Sequence, residues 1–375
     1  MKGLNIGIIY NKLPGGDCDK TLYDDPETIE AIITALESSG NRVIELPLSR
    51  SLIDDLPKQA SRLEFVINLS MAQEMGRLRQ GFIPAILEYN QIPFLGSDSL
   101  TLSISQDKFL TNELLDQSLI NIPSYQRFRS KDEELAPGLD FPLIVKPIRE
   151  STSRGISEAS YVQNGRELRN EVDHVLREHN QEALVQEFID GNEYTVGIIG
   201  NVILPILEID MGSIPNQPKV RDSRVKKIDN EYTRLASLEE KTYKALAAQA
   251  FYSHQAIDCL DLSRVDFRER NGEFYFLEIN PQPGLETSDQ VKKYSHLPLM
   301  ANLAGLEYPQ FINLLVFNSM NRNKERFNAQ KLENLEEFLS GVDAVFRDSD
   351  HVGQNSFYLS TAKVPYESPA LVRGR

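Results

Sequence analysis

The chain has 375 residues, 41% of them hydrophobic and 25% charged, which exceeds what one core usually fills and excludes a mostly disordered polymer. Its formal net charge of −15 argues against a nucleic-acid surface, because phosphate backbones are held by clustered Lys and Arg. Two cysteines, Cys18 and Cys259, without a CxxC pair, suggest neither a disulfide framework nor a thiolate zinc site and fit a reducing cytoplasm.

The apolar opening LNIGIIY from Leu4 is too short for the hydrophobic part of a signal peptide and reads as a first strand. No later stretch approaches the roughly 20 apolar residues of a membrane span, so no membrane segment is expected. A helix over 26–39, the strands RVIELPL from Arg42 and EFVINLS from Glu64, a helix over 83–89 and the strand-turn IPFLGS from Ile92 follow in alternation. Strands alternating with helices imply βαβ units and a parallel sheet. Ser97 or Asp98 then caps a helical stretch that contains Lys108.

From Phe141 the pattern is strand-rich: FPLIVKPI, the polar loop ESTSRGIS, a helix over 166–179, then ALVQEFI, EYTVGIIG and VILPILEI, an α+β arrangement with hairpins. The segment 210–231 is rich in Pro, Lys, Arg and Asp and lacks periodicity, and loops of that length are usually functional. A helix over 238–259 and the hairpin RVDFRERNGEFYFLEINPQPG, turning at Asn271-Gly272, come next. After Asn321 only a helix over 329–339 stands out, and no repeat of solenoid period is present.

The hairpin carries the strongest chemical signal. Asp266 on its first strand and Glu278 on its second can face each other, and Asn280, two residues on, shares the face of Glu278. Three oxygen ligands on one side suit a hard cation that also binds phosphates; a solvated acidic hairpin is the competing reading. Lys146 ends an apolar strand beside a hydroxyl-rich loop whose backbone N–H groups could cradle a polyphosphate, although a strand end meeting solvent is the plainer alternative. Lys108 taken by itself reads as a surface charge. The segment VQEFIDGNEYTV offers backbone groups between apolar strands for a purine ring and Glu193 for a ribose hydroxyl, or simply a hairpin turn at Asp190-Gly191. The five histidines show no metal-ligand spacing.

Taken in order, IPFLGSDSLTLSISQDK, FPLIVKPIRESTSRGIS, VQEFIDGNEYTVGIIG and RVDFRERNGEFYFLEINPQPGLE resemble the D-alanine–D-alanine ligase-like ATP-grasp family of carboxylate–amine ligases, over roughly residues 1 to 320. The resemblance implies an α/β and α+β protein with the ATP-grasp fold: an N-terminal Rossmann-like parallel-sheet lobe over 1–100, two α+β subdomains over 101–197 and 198–321 that clamp ATP, and an extension over 322–375. It implies ATP and Mg2+ as cofactors, with Mn2+ as a substitute, small-molecule acid and amine substrates, and a homodimer through the first lobe. By the same resemblance Lys108 and Lys146 match phosphate-binding lysines, and Thr152, Ser153 and Gly155 lie in the phosphate cover. Gln186, Glu187, Phe188 and Ile189 lie at the adenine-side hinge, and Glu193 matches the ribose carboxylate. Asp266, Glu278 and Asn280 match the metal ligands, Arg264 and Gly284 the oxyanion contacts, and Lys226 the lid of the long loop.

Departures from the family pattern bear on substrate. The family has an acidic residue in the first loop that grips the amino group of the first amino acid; here the loop reads YNKLPGGDCDK, and that grip is not evident. The cover loop reads Ser151-Thr152-Ser153-Arg154-Gly155 instead of Gly-Ser-Ser-X-Gly. Gln186 replaces a carboxylate and could still accept a hydrogen bond through its amide oxygen. Lys226-Lys227 replaces a Lys-Tyr pair, and Asp289 stands where a substrate-contacting serine is expected. These changes favour amide or imine-type conjugation in specialised metabolism, as in relatives that make amino-acid-conjugated mycosporines, over a D-alanine–D-alanine ligase. A non-catalytic ATP-binding regulator and a ligase with a non-amine acceptor are the other readings.

Overall fold

The computed structural model describes residues 3–14, 23–116, 120–216, 219–222, 224–227, 229–288 and 293–327. The helix expected over 329–339, the rest of the extension, part of the first loop, and Asp289 lie outside the described residues.

Strand β1 (Asn5–Tyr10), helix α1 (Pro26–Ser38), strand β2 (Arg42–Pro47), helix α2 (Arg50–Gln59), strand β3 (Phe65–Asn68) and helix α3 (Phe82–Tyr89) form the first lobe. Its strands pair in parallel in the order β2-β1-β3, as the alternation of strands and helices predicts. Pro26 opens α1, where its missing N–H costs nothing.

The helical stretch that follows is two helices, not one. Asp98 caps α4 (Ser99–Gln106) by accepting from the Thr101 N–H at 2.8 Å, and Asp107 caps α5 (Lys108–Leu115) by accepting from the Leu110 N–H at 3.1 Å. The break makes Lys108 the first residue of a helix, and its backbone N–H donates to the carbonyl of Ile148.

Strands β4 (Tyr125–Phe128), β5 (Leu143–Pro147) and β6 (Tyr161–Val162), helix α6 (Gly165–Glu178) and strand β7 (Ala183–Glu187) build a second sheet, ordered β4-β7-β5-β6, with α6 on one face. Strands β8 (Glu193–Ile199), β9 (Val202–Ile203), β10 (Leu207–Ile209) and β11 (Thr233–Leu235), helix α7 (Glu240–Ala256) and strands β12 (Leu262–Arg270) and β13 (Glu273–Asn280) supply a third, whose main path runs β11-β10-β8-β12-β13. Strand β8 runs through residue 197, where a subdomain boundary is expected from the sequence; the change of sheet falls between Glu187 and Glu193 instead. The β12–β13 turn has Asn271 at φ 56° and Gly272 at φ 82°, the two left-handed residues that the Asn-Gly pair supplies.

Strand alternation sorts the third sheet into two faces. Tyr194, Val196, Val265, Phe267, Phe276 and Ile279 pack against Tyr243, Leu246 and Ala250 of α7. The opposite face carries polar residues and Gly197, where a side chain would collide with Met300 and Leu297 of α8 (His296–Leu303). Helix α9 (Tyr308–Arg322) leaves the third sheet and joins the first lobe's core, with Phe311, Ile312 and Leu315 among Ile6, Ile8, Ile32 and Leu36. Arg322 closes the junction, its guanidinium donating to both oxygens of Asp261 at 2.8 Å and to the Gly96 carbonyl at 3.2 Å. The boundary expected at residue 321 would put α9 in the third lobe; its packing makes this last helix a wall shared with the first.

Between β7 and β8 the chain passes so close to β12 that a Cβ on Gly191 would overlap the Glu269 carbonyl. Gly191→Ala is therefore expected to cost about 1–3 kcal/mol, read as a lower urea midpoint with an unchanged slope, because backbone must move to admit the methyl.

Candidate active site

Register places the acidic residues of the hairpin together. Asp266 is paired with Glu278 across β12 and β13, Arg264 with Asn280, and Thr195 of β8 lies opposite Asp266 on the other side. After Asp266 the pairing slips, Phe267 facing Phe276, so Leu277 is an extra residue in the ladder. A bulge re-aims side chains, and Leu277 joins the wall of the central cavity.

Asp266 is 3% exposed and accepts hydrogen bonds through both oxygens. Its Oδ1 accepts from Thr195 Oγ1 at 2.6 Å and from Arg264 Nε at 3.0 Å, and its Oδ2 accepts from Arg264 Nη2 at 2.9 Å. Burial pushes its carboxyl up, but Arg264 and the Thr195 hydroxyl outweigh burial and hold it below the ordinary carboxylate range. Glu278 obeys the same balance: burial and Asp266 raise it, while Lys108, at 3.8 Å, with Lys226 and Arg264, lower it further. Among the described residues no three His, Cys, Asp or Glu side chains converge on a metal position. Two carboxylates with the Asn280 amide are nonetheless an all-oxygen donor set of the kind that hard divalent ions take. Asn280 is half-buried, and its Nδ2 has no partner among the described residues.

A cavity open to solvent lies between the second and third sheets. Of the residues singled out in the sequence, Lys108, Lys146, Ser153, Gln186, Glu187, Phe188, Ile189, Glu193, Lys226, Asp266 and Glu278 line it. Arg264, Asn280, Gly284, Thr152 and Gly155 are not among the residues that line it. Gly284 sits where a side chain would strike Ser295 and the Glu286 carboxylate, so a serine flanks this glycine from beyond the segment containing Asp289. Gly155, at φ 74°, has its absent Cβ against Pro147 and His179.

Lys146 Nζ donates to the Gln186 Oε1 at 3.1 Å, so the lysine takes one lone pair of the amide oxygen and fixes which way the amide is turned. The buried Nε2 is left without a partner, which costs about 1–3 kcal/mol until something accepts from it. The carboxylate of Glu193 is held by Arg221 at 3.0 Å and Arg268 at 3.7 Å. Arg268 also donates to the Ile189 carbonyl at 3.0 Å and lies 5.2 Å over the Phe188 ring, while Glu187 is paired with Arg270.

Lys219, Arg221, Arg268 and His296 belong to this site and were not singled out in the sequence. Arg268 was within reach of period-two reasoning, lying two residues beyond Asp266 on one strand face. Lys219 and Arg221 come from the long irregular loop. Ser153 Oγ donates to the Arg221 carbonyl at 2.8 Å and so ties the cover loop to that long loop. The buried His296 Nε2 lies 3.3 Å from Arg221 Nη2; burial and then Arg221, Arg264 and Lys226 hold its imidazole well below the usual range, hence neutral. The side chain of Lys227 lies outside the described residues.

A family model described as D-ala D-ala ligase C-terminus matches residues 114–317. A D-alanine–D-alanine ligase of Syntrophotalea carbinolica is 31% identical over 77% of this chain and 89% of its own length. One from a Marinomonas strain is 30% identical over 86% of this chain and 98% of its own. This chain belongs to the D-alanine–D-alanine ligase-like ATP-grasp family. The fold agrees: a D-alanine–D-alanine ligase from Bacillus anthracis complexed with ATP superposes at a TM-score of 0.69, with 22% identity over 86% of this chain and all of that one. The VanG D-Ala:D-Ser ligase from Enterococcus faecalis superposes at 0.65, with 20% identity over 85% of this chain and all of that one. The protein is therefore an ATP-dependent, ADP-producing carboxylate–amine ligase that acts on small molecules and employs a divalent metal.

Two lysines of the ligase are tuned by burial. Lys146 is pulled down to about 8 by desolvation, with Lys108 and Arg268 adding to the fall and Glu278 opposing it. Lys226 is pulled down to about 8 by desolvation, then by Arg221. Because a polyphosphate prefers the ammonium form, its affinity is highest while both lysines are charged and drops as pH rises through their pKa. The dissociation constant for ADP should rise between about pH 8 and 9.5, where ordinary lysines would leave it flat. Calorimetry across that range is the test, and a combined Lys146→Arg, Lys226→Arg variant should lose the dependence.

Proposed function

We propose that this ligase joins two small amino acids in the manner of a D-alanine–D-alanine ligase, activating the carboxylate of the first with the γ-phosphate of ATP. The observation that carries this reading is the relative matched over 98% of its length at 30% identity, which is a D-alanine–D-alanine ligase. Conjugation in specialised metabolism, favoured by the first loop and by Asp289, finds no support among these relatives. The serine beside Gly284 also removes part of the reason for it.

In this reading the apolar side chains of Ile144, Ile156, Phe188 and Leu277 sandwich the base. Lys108, Lys146 and Lys226 offset the charge of the phosphates, and the cover loop around Ser153 folds over them. Glu193, oriented by Arg221 and Arg268, takes a ribose hydroxyl. Asp266, Glu278 and Asn280 would hold magnesium, which supplies neutralisation of the β- and γ-phosphates. The acid's carboxylate oxygen attacks the γ-phosphorus, the bond to the β-phosphate oxygen breaks, and ADP and an acyl phosphate result. The amine of the second substrate then attacks the acyl carbon, loses a proton, and expels inorganic phosphate. Arg264 spends Nε and Nη2 on Asp266 and turns its Nη1 edge to the oxyanion, together with the Gly284 N–H. The tied loops exclude water that would otherwise hydrolyse the acyl phosphate.

A homodimer through the first lobe accompanies this reading, supported by the exposed apolar side chains of Tyr89 and Leu100. The free, buried thiol of Cys259 supports a cytoplasmic setting.

With ATP, magnesium and D-alanine the protein should release ADP and form a dipeptide, and Asp266→Ala or Glu278→Ala should lower that turnover by about 100-fold or more. Coupled ADP detection with chromatography of the product decides it. Turnover with another acid and amine pair but none with D-alanine or D-serine would return the conjugating role, and undiminished turnover in both variants would remove the acidic pair from the mechanism.

A further inference from the structure

One buried donor in the cavity has nothing to bond. Gln186 is 1% exposed, lines the cavity with Ile144, Phe188 and Leu277, and its Nε2 has no partner. The orientation of its amide is dictated by Lys146, whose Nζ lies 3.1 Å from Oε1. An ammonium group only donates, so the amide must turn its oxygen to the lysine and its N–H2 elsewhere. Exchanging oxygen and nitrogen would set donor against donor. The carboxylates of Glu187 and Glu193 on the same wall are already held by Arg270 and by Arg221.

A purine offers this donor two kinds of edge. Adenine presents an acceptor at N7 and an amino donor at position 6, whereas guanine presents acceptors at both. Hypoxanthine has the same 6-oxo group. N7 accepts in both, so only a donor aimed at position 6 discriminates: it gains nothing from a 6-amino group and forms a hydrogen bond with a 6-oxo group.

We propose that Gln186 is a specificity-determining residue that opens this cavity to 6-oxopurine nucleotides, those of guanosine and inosine, as well as adenosine nucleotides, by donating its Nε2–H to the 6-oxo group. The inference rests on the reading of the cavity as a purine-nucleotide site and assigns which bases it admits.

Calorimetric binding of ADP, GDP and IDP, each with magnesium, to the full chain tests it without any knowledge of the acid and amine. GDP and IDP should bind within about tenfold of ADP. Gln186→Glu keeps an oxygen for Lys146 and turns the second atom into an acceptor. It should shift the ADP-to-IDP affinity ratio at least about tenfold towards ADP, equivalent to about 1.4 kcal/mol. Wild-type protein that binds ADP but binds both GDP and IDP more than about 100-fold more weakly overturns the proposal, as does a folded variant with an unchanged ratio. Should the variant not fold, the wild-type ratios decide alone. Absence of binding by all three nucleotides is a different failure, because it removes the purine-nucleotide reading itself.

Discussion

Carboxylates that face each other across an antiparallel pair repel, and Asp266 and Glu278 stay ionised only because cations surround them. At the spacing of paired side chains, about 5 Å, the repulsion is roughly 3 kcal/mol for an effective dielectric near 20. The fork of Arg264 on one acid and Lys108 beside the other offset it. The same arrangement determines what can enter, since cations gathered around an acidic pair are the groups that a polyphosphate and its divalent counterion require. Removing either side of this balance would leave an unpaired charge in a desolvated place, the costliest kind of substitution.

How much of this was visible in the sequence follows from the range of each interaction. Period two puts Glu278 and Asn280 on one face, but the two-residue turn that pairs Arg270 with Glu273 would by itself set Asp266 against Leu277; the bulge is what brings Glu278 opposite Asp266. The bulge at Leu277 is a slip in register, and no composition rule marks it. The break at Asp107 was legible as a second capping residue but was hidden by continuous helical patterning on both sides. The docking of α9 onto the first lobe depends on contacts between residues some 280 apart, such as Asn313 to the Ala35 carbonyl, which no window along the chain can contain. Arg221 and His296 entered the site for the same reason. The orientation of the Gln186 amide was not legible locally, because it depends on Lys146, a partner 40 residues away in the chain that takes one lone pair of its oxygen.

Strain is concentrated in the loop that covers the cavity. Thr152 and Ser153 take φ values of 53° and 60°, a region that β-branched and other side chains normally avoid, and Gly155 follows at 74°. Such residues persist only where neighbours over-determine them, and here Ser153 is held by the Arg221 carbonyl while Gly155 is fitted against Pro147 and His179. These contacts are made by Ser153 and Gly155 and do not involve Ser151, which stands where the family pattern has its first glycine. What sustains its shape is the contact across the cavity to the long loop.

The overall charge of −15 and the chemistry of the cavity point in opposite directions, and the difference explains how an acidic protein can hold ATP. Six cationic side chains line the cavity, Lys108, Lys146, Lys219, Lys226, Arg221 and Arg268, against four carboxylates, Glu187, Glu193, Asp266 and Glu278. Nucleic acid is read by an exposed basic surface, whereas a nucleotide needs only a local excess, desolvated enough for each charge to count. The desolvation that draws Lys146 and Lys226 towards neutrality also makes them gain the most when a polyphosphate arrives, because the ligand restores the charged form that burial disfavours. A buried lysine is thus a poor contributor to the empty fold and a strong one to the occupied site.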